Sequence, residues 1–336
     1  MRVAIVGAGY WGENLVRVFH QFEVLEWICD FNPSRLQQMA EKYPDVKSTG
    51  SFDVILDDPG VGALVIATPA ETHYGLARRA LLAGKDVYVE KPLTLNCEEA
   101  EVLTDLAESL HRVLMVGHLL EFHPAITRLN ELIEQGELGR LEYVYSNRLN
   151  LGKVRREENA LWSFAPHDIS VILLLLKQLP LQVTATGGTY LQPNIADVTV
   201  STMLFDRGVR AHLFVSWLHP YKEQKLVVVG ERRMAVFDDV RKADKLQIFE
   251  KKIDLVNGQF VVEKPVGRPI EFPPDEPLLL ECRHFLECIE QRKTPKTDGR
   301  DAWRVLKVLE ASQRSLSMNG EPVRLEPARL TPAARG

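Results

Sequence analysis

Two side chains stand where this chain could move a proton. Lys91 closes an apolar stretch, 86–91, and is followed by Pro92; His167 follows Pro166 just ahead of an apolar run, 169–176. Pro92 closes the α region to Lys91 and so fixes the direction in which that residue leaves its strand. A lysine there, partly desolvated and beside another positive charge, would have a lowered pKa. It can then hold or relay the proton of a substrate hydroxyl while hydride departs. Pro166 suits a first helical position, which would place His167 in a first turn. The positive end of the helix dipole there disfavours imidazolium and leaves a neutral ring able to accept a proton. Each residue also has a plainer reading: a solvated lysine at a strand end, and a histidine that caps a buried helix.

A hydride needs an acceptor, and the start of the chain offers a cradle for one. The apolar stretch 3–6 runs straight into Gly7-x-Gly9-x-x-Gly12, and an amphipathic pattern follows over 13–22. In such a strand–turn–helix, Gly7 permits the tight turn and Gly9 lets a pyrophosphate approach the backbone. Gly12 then allows close helix–strand packing. Tyr10 and Trp11 fill the remaining turn positions and are counted with the cofactor site. Asp30 ends a second short apolar stretch, where an acid accepts hydrogen bonds from ribose hydroxyls and repels a 2′-phosphate. The expected cofactor is therefore NAD, although Arg35, shortly after this strand, is a residue type that can hold a 2′-phosphate.

These residues need elements to hold them. Through residue 120, short apolar stretches (62–68, 86–91, 113–117) alternate with helical patterns (33–43, 71–83, 98–111), which predicts a doubly wound parallel sheet of Rossmann type. Beyond residue 120 the pattern changes. After a helix near 125–135, period-two alternation at 198–204 and 209–217 surrounds the turn Asp206-Arg207-Gly208, and 225–238 reads as two more strands. The expected second domain is α+β with a large, mostly antiparallel open sheet, closed by helices over 278–292 and 299–318. The expected boundaries are 1–120 for the cofactor domain and 121–325 for substrate binding and oligomerisation, with 326–336 a loose tail. So few helices leave much of that sheet uncovered, which predicts a homodimer or homotetramer formed through it.

Composition limits the partners. A net charge of −5 argues against nucleic acid, and no apolar run is long enough to span a bilayer. The cysteines Cys29, Cys97, Cys282 and Cys288 have neither zinc nor redox spacing, so no metal is expected. A chain beginning directly in a strand, with no leader segment, is expected in the cytoplasm.

With these residues in view, the sequence resembles the Gfo/Idh/MocA oxidoreductases. The resemblance rests on the glycine turn, Ala67-Thr68-Pro69 with His73, the Gly84-Lys85-Asp86-Val87 stretch and Glu90-Lys91-Pro92, and it covers nearly the whole chain. It implies a nicotinamide-dependent dehydrogenase acting on a ring hydroxyl of a sugar or cyclitol. Lys91 would polarise the reacting hydroxyl, often with a cis peptide before Pro92, while Ala67, Thr68, Pro69 and Glu90 line the nicotinamide end with His73 close by. His167 matches the family's acid/base histidine, but Ser163 stands where the family commonly has the aspartate four residues earlier. Asp168 is adjacent and would point elsewhere. Ahead of this segment, Arg148, Asn150 and Arg156, with Lys153, Arg155 and Asn159, form a basic and polar cluster suited to a pyrophosphate. The run Asn147 to Gly152 with Trp162 and Ala165 to Asp168 resembles members acting on nucleotide-activated amino sugars. This implies oxidation at C3 of a compound such as UDP-N-acetylglucosamine, in glycan biosynthesis. The corresponding UDP-uronate, a free sugar or an inositol stays open, as does a non-catalytic NAD(H)-binding regulator.

Overall fold

The computed structural model describes residues 1–325 and divides into two compact units, Met1–Pro124 with Pro274–Leu306, and Ala125–Pro273 with the chain from Lys307 onward. The tail expected at 326–336 lies outside the described residues.

In the first unit β1 (Arg2–Val6), α1 (Gly12–Gln21), β2 (Leu25–Cys29), α2 (Pro33–Lys42), β3 (Lys47–Thr49), α3 (Phe52–Asp57), β4 (Val61–Ile66), α4 (His73–Leu82), β5 (Asp86–Glu90), α5 (Cys97–Ser109) and β6 (Leu114–Gly117) follow one another. The sheet order is β3-β2-β1-β4-β5-β6, with every pair parallel. Order reverses between β1 and β4, and ligands of such sheets bind in the crevice beyond the strand ends at that point. The strands are apolar because both faces are covered. All of Val3, Ile5, Ala63, Val65, Val87 and Val89 are fully buried. Part of that cover arrives late in the chain. Phe285, from the segment that rejoins this unit, meets Phe19 of α1 edge-on at 6.5 Å and Tyr88 of β5 at 5.8 Å. That return was not foreseen by placing 121–325 in one domain.

The second unit holds α6 (Pro124–Glu134), β7 (Leu141–Leu151), α7 (Ala160–Leu176), β8 (Gln182–Gly188), β9 (Val198–Leu204), β10 (Arg210–Ser216), β11 (Leu218–Gly230), β12 (Arg233–Asp238), β13 (Leu246–Glu250), the β14 (Ile253–Val256) and β15 (Gln259–Val262) hairpin, and β16 (Arg268–Pro269). Helices α8 (Pro277–Gln291) and α9 (Gly299–Ser317) and the short β17 (Val323–Arg324) are the last elements among the described residues. Its nine-stranded sheet runs β16-β13-β12-β11-β7-β10-β9-β8-β17, antiparallel throughout except for β7 with β10. Alternation does what it should: Ala211, Leu213 and Val215 point to the buried face, which packs against α7. On the opposite face Tyr145 stacks on His212 at 5.3 Å, and Tyr143 beside them is 41% exposed. Residues 218–224, between the two expected stretches 209–217 and 225–238, lie within β11, where the pairing with β7 slips between Leu218 and Glu223.

Candidate active site

The glycine turn joins β1 to α1, and each glycine has its own reason to be there. Gly7 has φ +95°, and a Cβ on it would lie 2.7 Å from the Ala67 carbonyl oxygen at the end of β4. A Cβ on Gly12 would lie 2.0 Å from the Gly7 carbonyl oxygen and 3.5 Å from the Ala67 Cβ, so the start of α1 packs on the turn with no room for a side chain. Gly9 is different. Nothing lies within 4 Å of its Cβ position, and the space left there is what a close-lying pyrophosphate requires. Asp30 ties this turn to the end of β2. Its Oδ2 accepts from the Ala8 N–H at 2.8 Å and its Oδ1 from the Asn32 N–H at 2.9 Å. Each carboxylate oxygen keeps a further lone pair for a ribose hydroxyl. Tyr10 is 87% exposed on the rim of the turn. Arg35 projects from α2, with Nη1 donating to Gln38 at 3.3 Å.

The end of β5 lies against the same turn. Trp11 Nε1 donates to Glu90 Oε1 at 2.5 Å, Tyr88 Oη donates to the same oxygen at 3.3 Å, and the Lys91 N–H donates to Oε2 at 3.2 Å. Burial raises the Glu90 pKa, while these donors and the nearby Lys91 charge work in the opposite direction. Lys91 follows directly, and its peptide bond to Pro92 is cis. Thr68 shares a hydroxyl contact of 2.6 Å with Thr72, whose hydroxyl donates to the Pro69 carbonyl at 2.7 Å.

His73 begins α4, as the sequence suggests, but it turns inward and offers no ring nitrogen to a cofactor. Its Nδ1 lies 2.8 Å from the Pro92 carbonyl oxygen and its Nε2 2.9 Å from that of Thr68. A neutral imidazole carries one N–H and can donate to only one of them; burial holds its pKa down, with both carbonyls opposing. His73 is thus a brace between the Thr68 and Pro92 segments.

In the second unit the sequence reading needs two corrections. Helix α7 begins at Ala160, with the Asn159 side chain accepting from the Trp162 N–H, and Pro166 lies inside it. His167 is therefore well past the first turn, and the dipole argument for its neutrality does not apply, since that effect fades within one turn. What Pro166 does is remove one hydrogen bond from the middle of the helix. Ser163 is buried and precedes His167 by four residues, so the two share a helix face. The second correction concerns Arg148. Its Nε donates to Asp168 Oδ2 at 2.6 Å and its Nη2 to Oδ1 at 3.2 Å, and Ser146 Oγ donates to Oδ1 at 2.6 Å. The guanidinium, 13% exposed, is engaged by a carboxylate that is 5% exposed, so Arg148 fastens α7 to β7. Asp168 is thus taken up by Arg148 and Ser146. Asn150 folds over Gly152, where a Cβ would meet its amide at 2.7 Å, while Arg156 stays exposed.

One titratable residue near Lys91 is not among the residues expected from the sequence. His118, immediately after β6, is 1% exposed, and its pKa is pushed down to about 3, by burial first and then by the charge of Lys91. The Gly-His pair at the end of an expected strand was its only signal.

Residues 1–118 match the model of an oxidoreductase family with an NAD-binding Rossmann fold, and residues 126–236 match a GFO/IDH/MocA C-terminal domain. The chain belongs to the Gfo/Idh/MocA oxidoreductase family. It is 27% identical to UDP-N-acetylglucosamine 3-dehydrogenase of Acidithiobacillus ferrooxidans, over 91% of this chain and 94% of that one. Scyllo-inositol 2-dehydrogenase (NAD(+)) of Bacillus subtilis is 26% identical, over 97% and 96%. A solved structure of the Acidithiobacillus enzyme superposes with a TM-score of 0.84 at 26% identity, covering 95% of this chain and 98% of that one. Levoglucosan dehydrogenase in complex with NADH and levoglucosan gives the same TM-score at 20% identity, over 96% and 99%, a likeness of fold. As a Gfo/Idh/MocA member this protein is an NAD-dependent oxidoreductase, and the cradle suits that cofactor. Open space over Gly9 and the acceptors of Asp30 would hold its pyrophosphate and ribose, with Ala67 to Pro69 and Glu90 towards the nicotinamide. Among the described residues no cluster of His, Cys, Asp or Glu could hold a metal ion, and no helix is long and apolar enough to cross a membrane.

Proposed function

We propose that this protein is a dehydrogenase that oxidises a ring hydroxyl of a nucleotide-activated amino sugar, with C3 of UDP-N-acetylglucosamine the first candidate. The observation that carries the reading is Lys91, placed at the carboxyl end of β5 beside the dinucleotide cradle, with Glu90 beneath it held by Trp11 and Tyr88. Similarity to UDP-N-acetylglucosamine 3-dehydrogenase over nearly the full length of both chains supports the substrate class. Arg156, exposed ahead of α7, and its neighbour Arg155 are cations of the kind a pyrophosphate takes.

In this mechanism Lys91 holds the reacting hydroxyl by a charge-assisted hydrogen bond and lowers the cost of removing its proton. His167 is the proposed acid/base that takes that proton. Bound NAD supplies the hydride acceptor. Similarity to the inositol enzyme makes cyclitols the second class to try. The test is NADH formation from UDP-sugars, free sugars and inositols, with NAD and NADP compared. Lys91→Ala is expected to lose at least about 100-fold in turnover, within the range for a positioned acid–base group, while binding NADH nearly as well as the parent. An active Lys91→Ala would overturn the assignment, and binding of NADH with no turnover on any of these compounds would favour a regulator.

A further inference from the structure

We infer that His118 is a further substrate-contacting residue, a neutral side chain that donates a hydrogen bond to the reacting oxygen alongside Lys91. The inference rests on reading Lys91 as the group that holds the substrate hydroxyl. Its starting point is strand register. In the parallel β5–β6 pair, Glu90 lies opposite Gly117, so Lys91 and His118 are each the first residue beyond the paired ends of neighbouring strands. Both leave the sheet at the edge where ligands of this fold bind. The backbone fixes His118 there: its N–H donates to the Val116 carbonyl at 2.8 Å, and its own carbonyl accepts from the Glu121 N–H at 2.9 Å.

The ring is buried, yet among the described residues both nitrogens lack a hydrogen-bond partner. Leaving such a group unsatisfied costs about 1–3 kcal/mol, and a structure that tolerates it needs a reason. His73 makes the contrast within the same unit. It is buried to the same degree, and both of its nitrogens face backbone carbonyls. His118 has no such structural duty for its ring. Burial first, and then the charge of Lys91, keeps the ring neutral at any working pH.

A ring so reluctant to take a proton cannot be the base. It can donate its N–H to an oxygen that becomes more negative as the hydroxyl proton leaves, which is the task of an oxyanion-stabilising donor. The balance is simple. The hydroxyl proton passes to the base, hydride passes from the same carbon to NAD, a C=O forms, and His118 keeps its proton throughout. Other neutral imidazoles serve as such electrophilic donors.

The experiment compares His118→Leu, His118→Gln and Lys91→Ala with the parent, on whichever sugar the parent oxidises best. For His118→Leu the expected results are unchanged or higher Tm, NADH affinity within about twofold, and kcat lowered roughly 100–1000-fold, the range for one lost oxyanion donor. The primary deuterium isotope effect should rise towards its full value as hydride transfer becomes limiting, and His118→Gln should recover part of kcat. In ¹⁵N-histidine spectra the His118 ring should stay neutral from about pH 5 to pH 9 and shift when sugar is added to the NADH-bound protein. An unchanged kcat/KM in His118→Leu while Lys91→Ala is inactive would overturn this inference alone. Weakened NADH binding with unchanged sugar parameters would overturn it too, by moving the ring to the cofactor. If Lys91→Ala stays active, the underlying reading fails instead.

Discussion

Replacing Asp30 tests the cofactor half of the site directly. Its carboxylate offers about four acceptor positions, and the Ala8 and Asn32 N–H groups use one on each oxygen, at 2.8 and 2.9 Å. About two positions remain for the two ribose hydroxyls. A hydrogen bond to a charged group contributes about 1.5–3 kcal/mol, so losing both removes about 3–6 kcal/mol, and every 1.4 kcal/mol is tenfold in Kd. Water competing for an exposed rim favours the lower end. Asp30→Ala should therefore weaken NADH about 100-fold, and Asp30→Asn, which keeps one acceptor oxygen but no charge, about tenfold. Preference against NADPH should shrink as well, because the repulsion of a 2′-phosphate disappears. Fluorescence titration of NADH and NADPH measures both effects. Asp30→Ala also releases the Ala8 N–H, so a lower Tm is expected, and titration well below that Tm keeps the two effects apart. If Asp30→Ala binds NADH within about threefold of the parent and discriminates as before, the ribose is held elsewhere and this account of the cradle is wrong.

Three further outcomes follow from the geometry. Gly12→Ala forces a Cβ onto a backbone oxygen 2.0 Å away and should cost about 3 kcal/mol, the upper part of the overpacking range. Gly9→Ala meets nothing and should leave Tm alone while weakening NADH binding; thermal melts and titrations of the pair check this contrast. Arg148→Ala strands the buried Asp168 carboxylate and should cost about 3–5 kcal/mol in a urea melt; unchanged stability with a raised KM for sugar would instead assign the guanidinium to substrate. Glu281 is buried near Glu90, and its pKa is raised well above 4.5, chiefly by burial. The folded chain thus keeps a proton that the unfolded chain releases, and stability falls as pH rises above about 4.5. Glu281→Gln should therefore gain stability relative to the parent between about pH 5 and pH 8, and parallel Tm curves would refute this.

The parts legible from sequence were those set by local chemistry. Gly7 and Gly12 each serve a backbone constraint that nothing but glycine meets, Gly9 keeps open the space a pyrophosphate needs, and alternation in β9 and β10 is a property of neighbouring residues. What stayed hidden depended on distant partners. Asp168 reaches Arg148 across a strand and a helix, so a cation that reads as a substrate ligand is already engaged. Pro166 signals a helix start only when no cap precedes it, and Asn159 is such a cap. His73 and His118 look alike in sequence; the two carbonyls facing one ring, and the lack of any facing the other, exist only after folding.

The return of Phe285 to the first sheet also sets a timetable for biosynthesis. Phe19 and Tyr88 leave the ribosome well before the aromatic side chain that packs on them, which belongs to a segment made only after residues 125–273. Until then an apolar patch of the sheet unit lacks its cover, while the intervening 125–273 segment has already been made. The cofactor-binding half, begun before that intervening segment, is thus finished only after it, and a fragment ending at residue 124 would carry the glycine cradle without its complete core.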